Sequence, residues 1–316
     1  MARTIAVGLG LAEFPFADAG GYWRWVDLCE AGGVDSLWQT DRLISREPIL
    51  ECMTALAALA GRTRRLKFGM NVVSVALRDP VLLAKQCATI DVLSQGRLLP
   101  AFGIGSPLAP EWATLNADTR SRGRRTDEGL EVIRRLWTEE KVDFHGSFHH
   151  LDGASISPRP LQADLPMWIG GSSEAAIRRT GRIGTGWQAG AETPEQIGPI
   201  IAAIRDAARG AGRSIDEDHY GSGFPFRFGG VDDPGVERAM AAYAKRTGRD
   251  AAAYFAVGDA NAILGRISAY VDAGASKFIL RPLGRGDDDV LLQTRRFIEE
   301  VLPQVQRKWP KVKAAR

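Results

Sequence analysis

The feature that most constrains this chain is an alternation of strand-like runs with amphipathic helices that continues from end to end. Eight short runs rich in β-branched and aromatic residues are each followed by residues with helical spacing of apolar side chains. This order is typical of a parallel sheet whose outside is covered by helices. Eight such units predict an α/β fold, the (β/α)8 TIM barrel. The runs cover residues 4–10, 35–40, 65–75, 97–105, 167–171, 186–190, 220–230 and 276–282.

A doubly wound sheet is the alternative fold for alternating strands and helices. It has about five or six strands, and it usually carries a G-x-G-x-x-G sequence after the first of them. Gly8 and Gly10 lie at the end of the first run without a third glycine at the required place, and the end of the fourth run fails the same test. We therefore expect a single barrel domain over residues 1–316.

Two stretches depart from the regular alternation. Residues 140–166 have the pattern of a short hairpin and a proline-rich connection, which predicts an insertion after the fourth β/α unit. Residues 231–256 are rich in glycine and alanine, and we expect helices there that act either as a lid or as filler. The last helix is predicted near residues 291–301, with Pro303 as its stop.

Composition excludes several classes of protein. A formal charge of +3 over 316 residues gives no basic footprint for nucleic acid, and no apolar run approaches the roughly 18 residues that span a bilayer. Three cysteines without C-x-x-C spacing predict buried thiols in a reducing compartment, and hence a cytoplasmic protein. The four histidines are not clustered at strand ends, so we predict no metal site.

The barrel prediction also locates the site, because TIM barrels carry their active sites in the loops after the strands. One such loop is the sequence GGSS, Gly170 to Ser173, between the fifth strand and its helix. Free N–H groups at a helix start, a flexible glycine backbone and serine hydroxyls together favour a phosphate. The alternative is that Ser172 or Ser173 simply caps the helix.

Four segments of the chain resemble the bacterial-luciferase-like superfamily of flavin and deazaflavin oxidoreductases. They occur in the order that this family has, and the block ending LSQGRLLPAFGIG is the most specific of them. The family fold is itself a (β/α)8 barrel with an insertion, in agreement with the count of strands. The segments cover residues 33–43, 72–105, 122–137 and 157–187.

The resemblance implies a cofactor, either reduced FMN or F420, bound across the carboxyl-terminal mouth of the barrel. It also implies a non-prolyl cis peptide after the third strand, for which Ser74–Val75 is the expected position, with the backbone there facing the ring. The phosphate would lie at the GGSS loop and the first turn of the helix after it. The residues implied to bind the cofactor are Ser74, Val75, Gly103, Gly105, Ser106, Gly170, Gly171, Ser172, Ser173, Ala175 and Ala176.

The chain departs from its family at positions that matter for catalysis. Many relatives carry Asp-His after the second strand, whereas this chain has Asp41 and Arg42. We expect Arg42 to bind an anionic substrate or to stabilise negative charge that develops on the cofactor. At the ends of the seventh and eighth strands, Arg227 and Arg281 are expected to close over an anionic group.

The leading functional prediction is a monooxygenase that uses reduced FMN from a separate reductase. The reduced flavin and O2 would form a C4a-(hydro)peroxide, which oxidises a small organic substrate. One alternative is an F420-dependent reductase or dehydrogenase that transfers hydride, and another is a flavin-binding protein without turnover. A homodimer is a further expectation from the resemblance.

Overall fold

The computed structural model describes residues 4–310, and in these residues a parallel barrel is surrounded by helices. The ends of the predicted domain, 1–3 and 311–316, lie outside the described residues. The strands are β1 (Ala6–Leu11), β2 (Ser36–Gln39), β3 (Lys67–Met70), β4 (Val73–Ser74), β5 (Leu98–Leu99), β6 (Ala101–Gly103), β7 (Val142–His145), β8 (His150–Ala154), β9 (Trp168–Gly170), β10 (Gly186–Gln188), β11 (Tyr220–Ser222), β12 (Pro225–Phe228), β13 (Ala256–Gly258) and β14 (Lys277–Pro282).

Strand pairing confirms the predicted (β/α)8 barrel. The third position is divided into β3 and β4, the fourth into β5 and β6, and the seventh into β11 and β12. β1 pairs with β2, β2 with β3, β3 with β5, β4 with β6, and β6 with β9; β10, β11 and β14 then lead back to β1. All of these pairs are parallel, so the carboxyl ends of the eight positions meet on one face.

Helices connect the strands and cover the barrel. Proline at a helix start and an acidic cap fix several of the boundaries: α3 begins at Pro80, and the Asp79 carboxylate accepts a hydrogen bond from the Leu82 N–H at 2.8 Å. The helices are α1 (Ala19–Ala31), α2 (Cys52–Arg62), α3 (Pro80–Ser94), α4 (Glu111–Thr114), α5 (Arg122–Thr138), α6 (Glu174–Ile183), α7 (Pro194–Gly210), α8 (Pro234–Thr247), α9 (Ala260–Asp272), α10 (Gly286–Arg296) and α11 (Leu302–Lys308).

The expected stop of the last helix at Pro303 is wrong. A π-helical segment, Phe297–Val301, follows α10, and α11 continues to Lys308. Pro303 lies in the first turn of α11, where backbone N–H groups have no partner within the helix. The missing N–H of proline therefore costs nothing there, and the proline fits the start of a helix and not its end.

Two tryptophans fill the barrel interior, and glycines on the neighbouring strands make room for them. Trp38 and Trp168 are buried together with Ala101 and Ile279. A Cβ on Gly186 would lie 2.5 Å from the Trp168 ring. The barrel is therefore a packed core, and a ligand has to bind above the tryptophans, at the carboxyl ends of the strands.

The two stretches that depart from regular alternation, residues 140–166 and 231–256, have separate structures. The β7–β8 hairpin is antiparallel and lies within residues 140–166. The stretch 231–256 contains α8, but it ends in β13, a strand that pairs with β12 and that the sequence did not predict because it is only three small residues long. Cys29, Cys52 and Cys87 are free and buried, as predicted.

No helix within residues 4–310 is long and apolar enough to cross a bilayer.

Candidate active site

Two clefts open at the carboxyl ends of the strands. The small cleft, about 330 Å³, lies between the ends of β2, β4, β6 and β9, and the large cleft, about 870 Å³, lies between β1, β12, β14 and helix α8. Both volumes are in the range of small-molecule sites. The small cleft brings together eight of the residues that the sequence pointed to: Asp41, Arg42, Ser74, Gly103, Gly105, Ser106, Gly170 and Gly171.

Val72 forms the floor of the small cleft, between the ends of two strands. A Cβ on Gly103 would lie 2.7 Å from Val72 Cγ2, and a Cβ on Gly170 would lie 3.0 Å from both Val72 methyl groups. Because any side chain at these two positions would push Val72 upward, the glycines keep the floor flat. The sequence alone gave no signal for Val72, which was one apolar residue in an apolar strand.

The predicted position of the cis peptide is wrong. The non-prolyl cis bond is Asn71–Val72, three residues before Ser74–Val75. Ser74 instead ends β4, where it pairs with Gly103 in extended conformation. Val75 is 2% exposed and turned away from the cleft, because its methyl group fills the space beside Gly129 of α5.

Asp41 holds one wall of the small cleft in place. Its carboxylate accepts hydrogen bonds from the Ser74 N–H at 2.9 Å and from the Arg78 guanidinium at 2.6 Å. Burial lowers the pKa of Arg78, but the carboxylates of Asp41 and Glu51 more than offset this and raise it. Asp41 is thus a buried, paired charge that fixes the Ser74 backbone.

Glu111 joins two loops at the rim of the small cleft, and sequence reasoning assigned it no role. Its Oε1 accepts hydrogen bonds from the N–H groups of Leu43 and Ile44, and its Oε2 lies 3.6 Å from Arg42 Nη1 without a hydrogen-bond donor. Burial alone would raise the pKa of Glu111, but hydrogen bonds from backbone N–H groups and the charge of Arg42 outweigh burial. The pKa is therefore lowered, and the carboxylate stays ionised. The Arg42 side chain itself is 43% exposed, at the entrance.

Gly171, the second residue of the GGSS loop, has a backbone φ of +102°. Trp187 Nε1 donates to the Gly171 carbonyl at 2.8 Å, and Ser173 Oγ accepts from the Ala176 N–H at 3.3 Å as the N-cap of α6. The loop therefore caps helix α6 and still leaves N–H donors without a partner. Within residues 4–310, four consecutive N–H groups have no hydrogen-bond acceptor, those of Ser172, Ser173, Glu174 and Ala175.

The hydroxyl of Ser172 is already engaged. It donates to Glu192 Oε1 at 2.6 Å, and Glu192 belongs to the loop that follows β10. No pattern along the chain indicated this carboxylate, because Glu192 is twenty positions away from Ser172. The loop thus offers unpaired amide donors, but it also faces a negative charge.

The large cleft contains the other two predicted arginines, Arg227 and Arg281, which differ in whether carboxylates neutralise them. Arg227 is paired with Asp233 and Asp289, both at 2.9 Å. Arg281 donates to the Tyr254 hydroxyl at 2.8 Å, and within residues 4–310 no carboxylate lies within ion-pair distance of it. Of the two, Arg281 is the one whose positive charge is available to a ligand.

A profile of the family described as luciferase-like monooxygenase matches residues 12–243. An uncharacterised protein of Mycobacterium tuberculosis is 32% identical over 169 residues, 53% of this chain and 57% of the relative. The chain thus spans little more than half the length of the first curated relatives that it matches. An F420-dependent glucose-6-phosphate dehydrogenase of Microbacterium testaceum is 27% identical over 321 residues, 89% of this chain and 92% of the relative.

Among solved structures, the monooxygenase RslO1 from Streptomyces bottropensis superposes with a TM-score of 0.80. The two chains are 22% identical, and the match covers 95% of this chain and 99% of the other. At this identity the similarity establishes the fold.

Proposed function

Because the chain belongs to the luciferase-like monooxygenase family, we propose that it is an oxidoreductase that binds a flavin-type cofactor in the small cleft and a small organic substrate in the large cleft. The observation that carries the proposal is that Gly170 and Gly171 line the small cleft and are followed directly along the chain by four unpaired N–H groups. A flat ring with a phosphate at one end needs such a floor next to such an anion site.

The residues present fit a flavin-type group. Val72 and the glycines beside it offer a flat surface for a ring, and the N-terminus of α6 offers donors for a phosphate. When bound, such a cofactor supplies the electron or hydride chemistry, and the protein supplies orientation and electrostatics. Gly105, Ser106, Ser173 and Ala175 stay predicted contacts, whereas the Ala176 N–H is taken by the helix cap.

For the reaction itself, we propose hydride exchange with F420 as the first candidate. The support is the Microbacterium testaceum relative, which is named as F420-dependent and which aligns with 89% of this chain.

The second candidate is the monooxygenase expected from the sequence, which uses reduced FMN and O2. Arg42 favours it, because a half-exposed guanidinium at the cleft entrance can stabilise negative charge that develops on an oxygen-derived group. The separate flavin reductase and the homodimer remain predictions that accompany this candidate.

In either reaction we propose that Arg281 binds an anionic group of the substrate. Its guanidinium lies in the large cleft and is oriented by Tyr254. Burial raises the pKa of Tyr254, and Arg281 opposes part of that rise, so the phenol remains neutral and can accept the arginine's hydrogen bond.

Ligand titration tests the proposed function. The purified protein is titrated anaerobically with oxidised and reduced FMN and with F420, and binding is followed by fluorescence. Tight F420 binding and reduction of F420 by an alcohol substrate support the first candidate; binding of reduced FMN and an O2-dependent product support the second. Failure to bind any of the three would refute the cofactor site.

A further inference from the structure

The loop after β10 is held by three tyrosines. Residues Gly190, Ala191 and Glu192 are consecutive, and each carbonyl accepts a hydrogen bond from a different tyrosine hydroxyl. The donors are Tyr254 at 3.4 Å, Tyr243 at 3.1 Å and Tyr270 at 2.8 Å. The loop therefore has a fixed backbone, and its side chains project from a defined position.

These tyrosines are rigid supports. Each is at most 3% exposed. The Tyr243 and Tyr254 rings are stacked with centroids 4.8 Å apart, and the Tyr270 ring is stacked on Phe224 at 5.6 Å. Buried and stacked rings leave the hydroxyls little freedom to move, so the loop cannot shift without disturbing the core.

The side chain that this support positions is Glu192. One carboxylate oxygen accepts from Ser172 Oγ at 2.6 Å, and the other accepts from the Gly190 N–H at 2.7 Å. Within residues 4–310, no arginine, lysine or histidine lies within 4.0 Å of this carboxylate. The cation bound to this loop is Arg249, whose Nη1 donates to the Ala191 carbonyl at 3.2 Å. Glu192 therefore places a carboxylate without a direct ion-pair partner beside the loop whose N–H groups would receive the phosphate.

The Glu192 carboxylate repels a bound phosphate, and the repulsion increases with the negative charge of that phosphate. The terminal phosphate of FMN is a monoester with a second pKa near 6, so it carries about −1.5 to −2 at pH 7. The phosphate of F420 is a phosphodiester, which has a single ionisable oxygen and carries −1. Repulsion by a fixed carboxylate is therefore about twice as large, in free energy, for the monoester as for the diester.

We propose that Glu192 makes this loop selective for a singly charged phosphodiester over a doubly charged phosphomonoester. The inference rests on the proposed function, since it assumes that the cofactor phosphate binds at the loop. It goes further by assigning the preference for one type of phosphate to a residue that does not belong to the helix start.

The test uses three probes that share one ring: riboflavin, FMN and the monomethyl phosphodiester of FMN, with charges of 0, about −2 and −1. Dissociation constants are measured in the dark for the wild-type protein and for Glu192→Gln, which can still accept the Ser172 hydrogen bond through its amide oxygen. Glu299→Gln is the matched control, because this exposed glutamate lines neither cleft and its change alters the net charge equally.

We expect the wild-type protein to bind the methyl ester at least threefold more tightly than FMN. In Glu192→Gln the affinity for FMN should rise about tenfold and that for the ester about threefold, while riboflavin binding is unchanged. Glu299→Gln should behave as the wild type.

Three outcomes would overturn the inference. Wild-type protein that prefers FMN to its methyl ester would show that the loop has no bias against double charge. An equal gain for all three probes would show that Glu192 only shapes the loop, and so would an unchanged FMN-to-ester ratio in Glu192→Gln. If none of these probes and no F420 binds to the wild type, the proposed cofactor site itself fails, which is a different result.

Discussion

Substitution of Gly103 tests whether Val72 is the floor of the small cleft. Gly103 is in β6 and does not have a positive φ, so its backbone accepts alanine. In an open site, Gly→Ala would stabilise the protein by about 0.4–1 kcal/mol through the unfolded state. At Gly103 the new methyl group would lie 2.7 Å from Val72 Cγ2, which is closer than carbon atoms pack. We therefore expect a net loss of about 1–3 kcal/mol from overpacking.

The partner variant is Val72→Ala, which removes the methyl groups that the new Cβ would meet. By itself it should cost about 1–1.5 kcal/mol, since Val72 is only partly buried. In the double variant the clash disappears, and the coupling energy between the two sites should reach about 1–2 kcal/mol. Gly265→Ala is the control, because nothing lies within 4 Å of its Cβ position and alanine should stabilise α9 by about 1 kcal/mol.

Urea unfolding followed by circular dichroism gives the four stabilities of this cycle, and a flavin titration of the same proteins reports on the cleft. Gly103→Ala should weaken cofactor binding, because the displaced Val72 methyl enters the small cleft, and the double variant should recover it. Energies that add within about 0.5 kcal/mol would refute the direct contact. Gly103→Ala with wild-type stability and wild-type binding would refute the floor as well.

Three further predictions concern the loop and a cleft wall. Ser172→Asp should weaken FMN binding at least tenfold, because it adds a carboxylate to the phosphate loop, whereas Ser214→Asp, in an exposed position, should not; equal affinity in both variants removes the loop from the site. Trp187→Phe should cost about 1–2 kcal/mol in urea unfolding and should weaken FMN more than riboflavin, since the loop carbonyl loses its donor; equal effects on both ligands would contradict this. The pKa of Glu51 is lowered in the folded protein, because Thr54 and Arg78 outweigh burial, so the stability that it contributes is present above about pH 4.5 and is lost as the pH falls through the folded pKa. Glu51→Gln should therefore flatten stability below pH 4.5, and an unchanged acid profile would refute the assignment.

The sequence was sufficient for features that depend on neighbours along the chain. Alternating runs predicted the barrel, and the barrel rule placed the carboxyl ends of all its strands on one face; the structure then showed that the ends of β2, β4, β6 and β9 line one cleft there. The GGSS loop was predicted both as a helix start and as an anion site. In the structure Ser173 caps the helix, and four N–H groups of the same stretch have no acceptor and stay available to an anion.

Features that depend on contacts between distant residues were not predictable. Arg227 was expected to receive an anionic ligand, but Asp289, sixty-two positions later, already neutralises it. Glu192 meets Ser172 only because two strand ends adjoin in the barrel. The family resemblance placed the cis peptide three residues too late, and the spacing of apolar residues could not correct this because it does not mark where a buried strand is interrupted.

The tyrosine-supported loop after β10 also links residues of the two clefts, because Tyr254 lines the large cleft and the GGSS loop borders the small one. Tyr254 contacts this loop with the same hydroxyl that receives Arg281, while Glu192 contacts the phosphate loop from the other side. In the proposed function, Arg281 would hold an anion in the large cleft and the start of α6 would hold a phosphate, so a rigid chain of contacts through Tyr254 and this loop joins the two proposed sites. We therefore expect that a change in the loop or in its tyrosines affects ligand binding in both clefts at once.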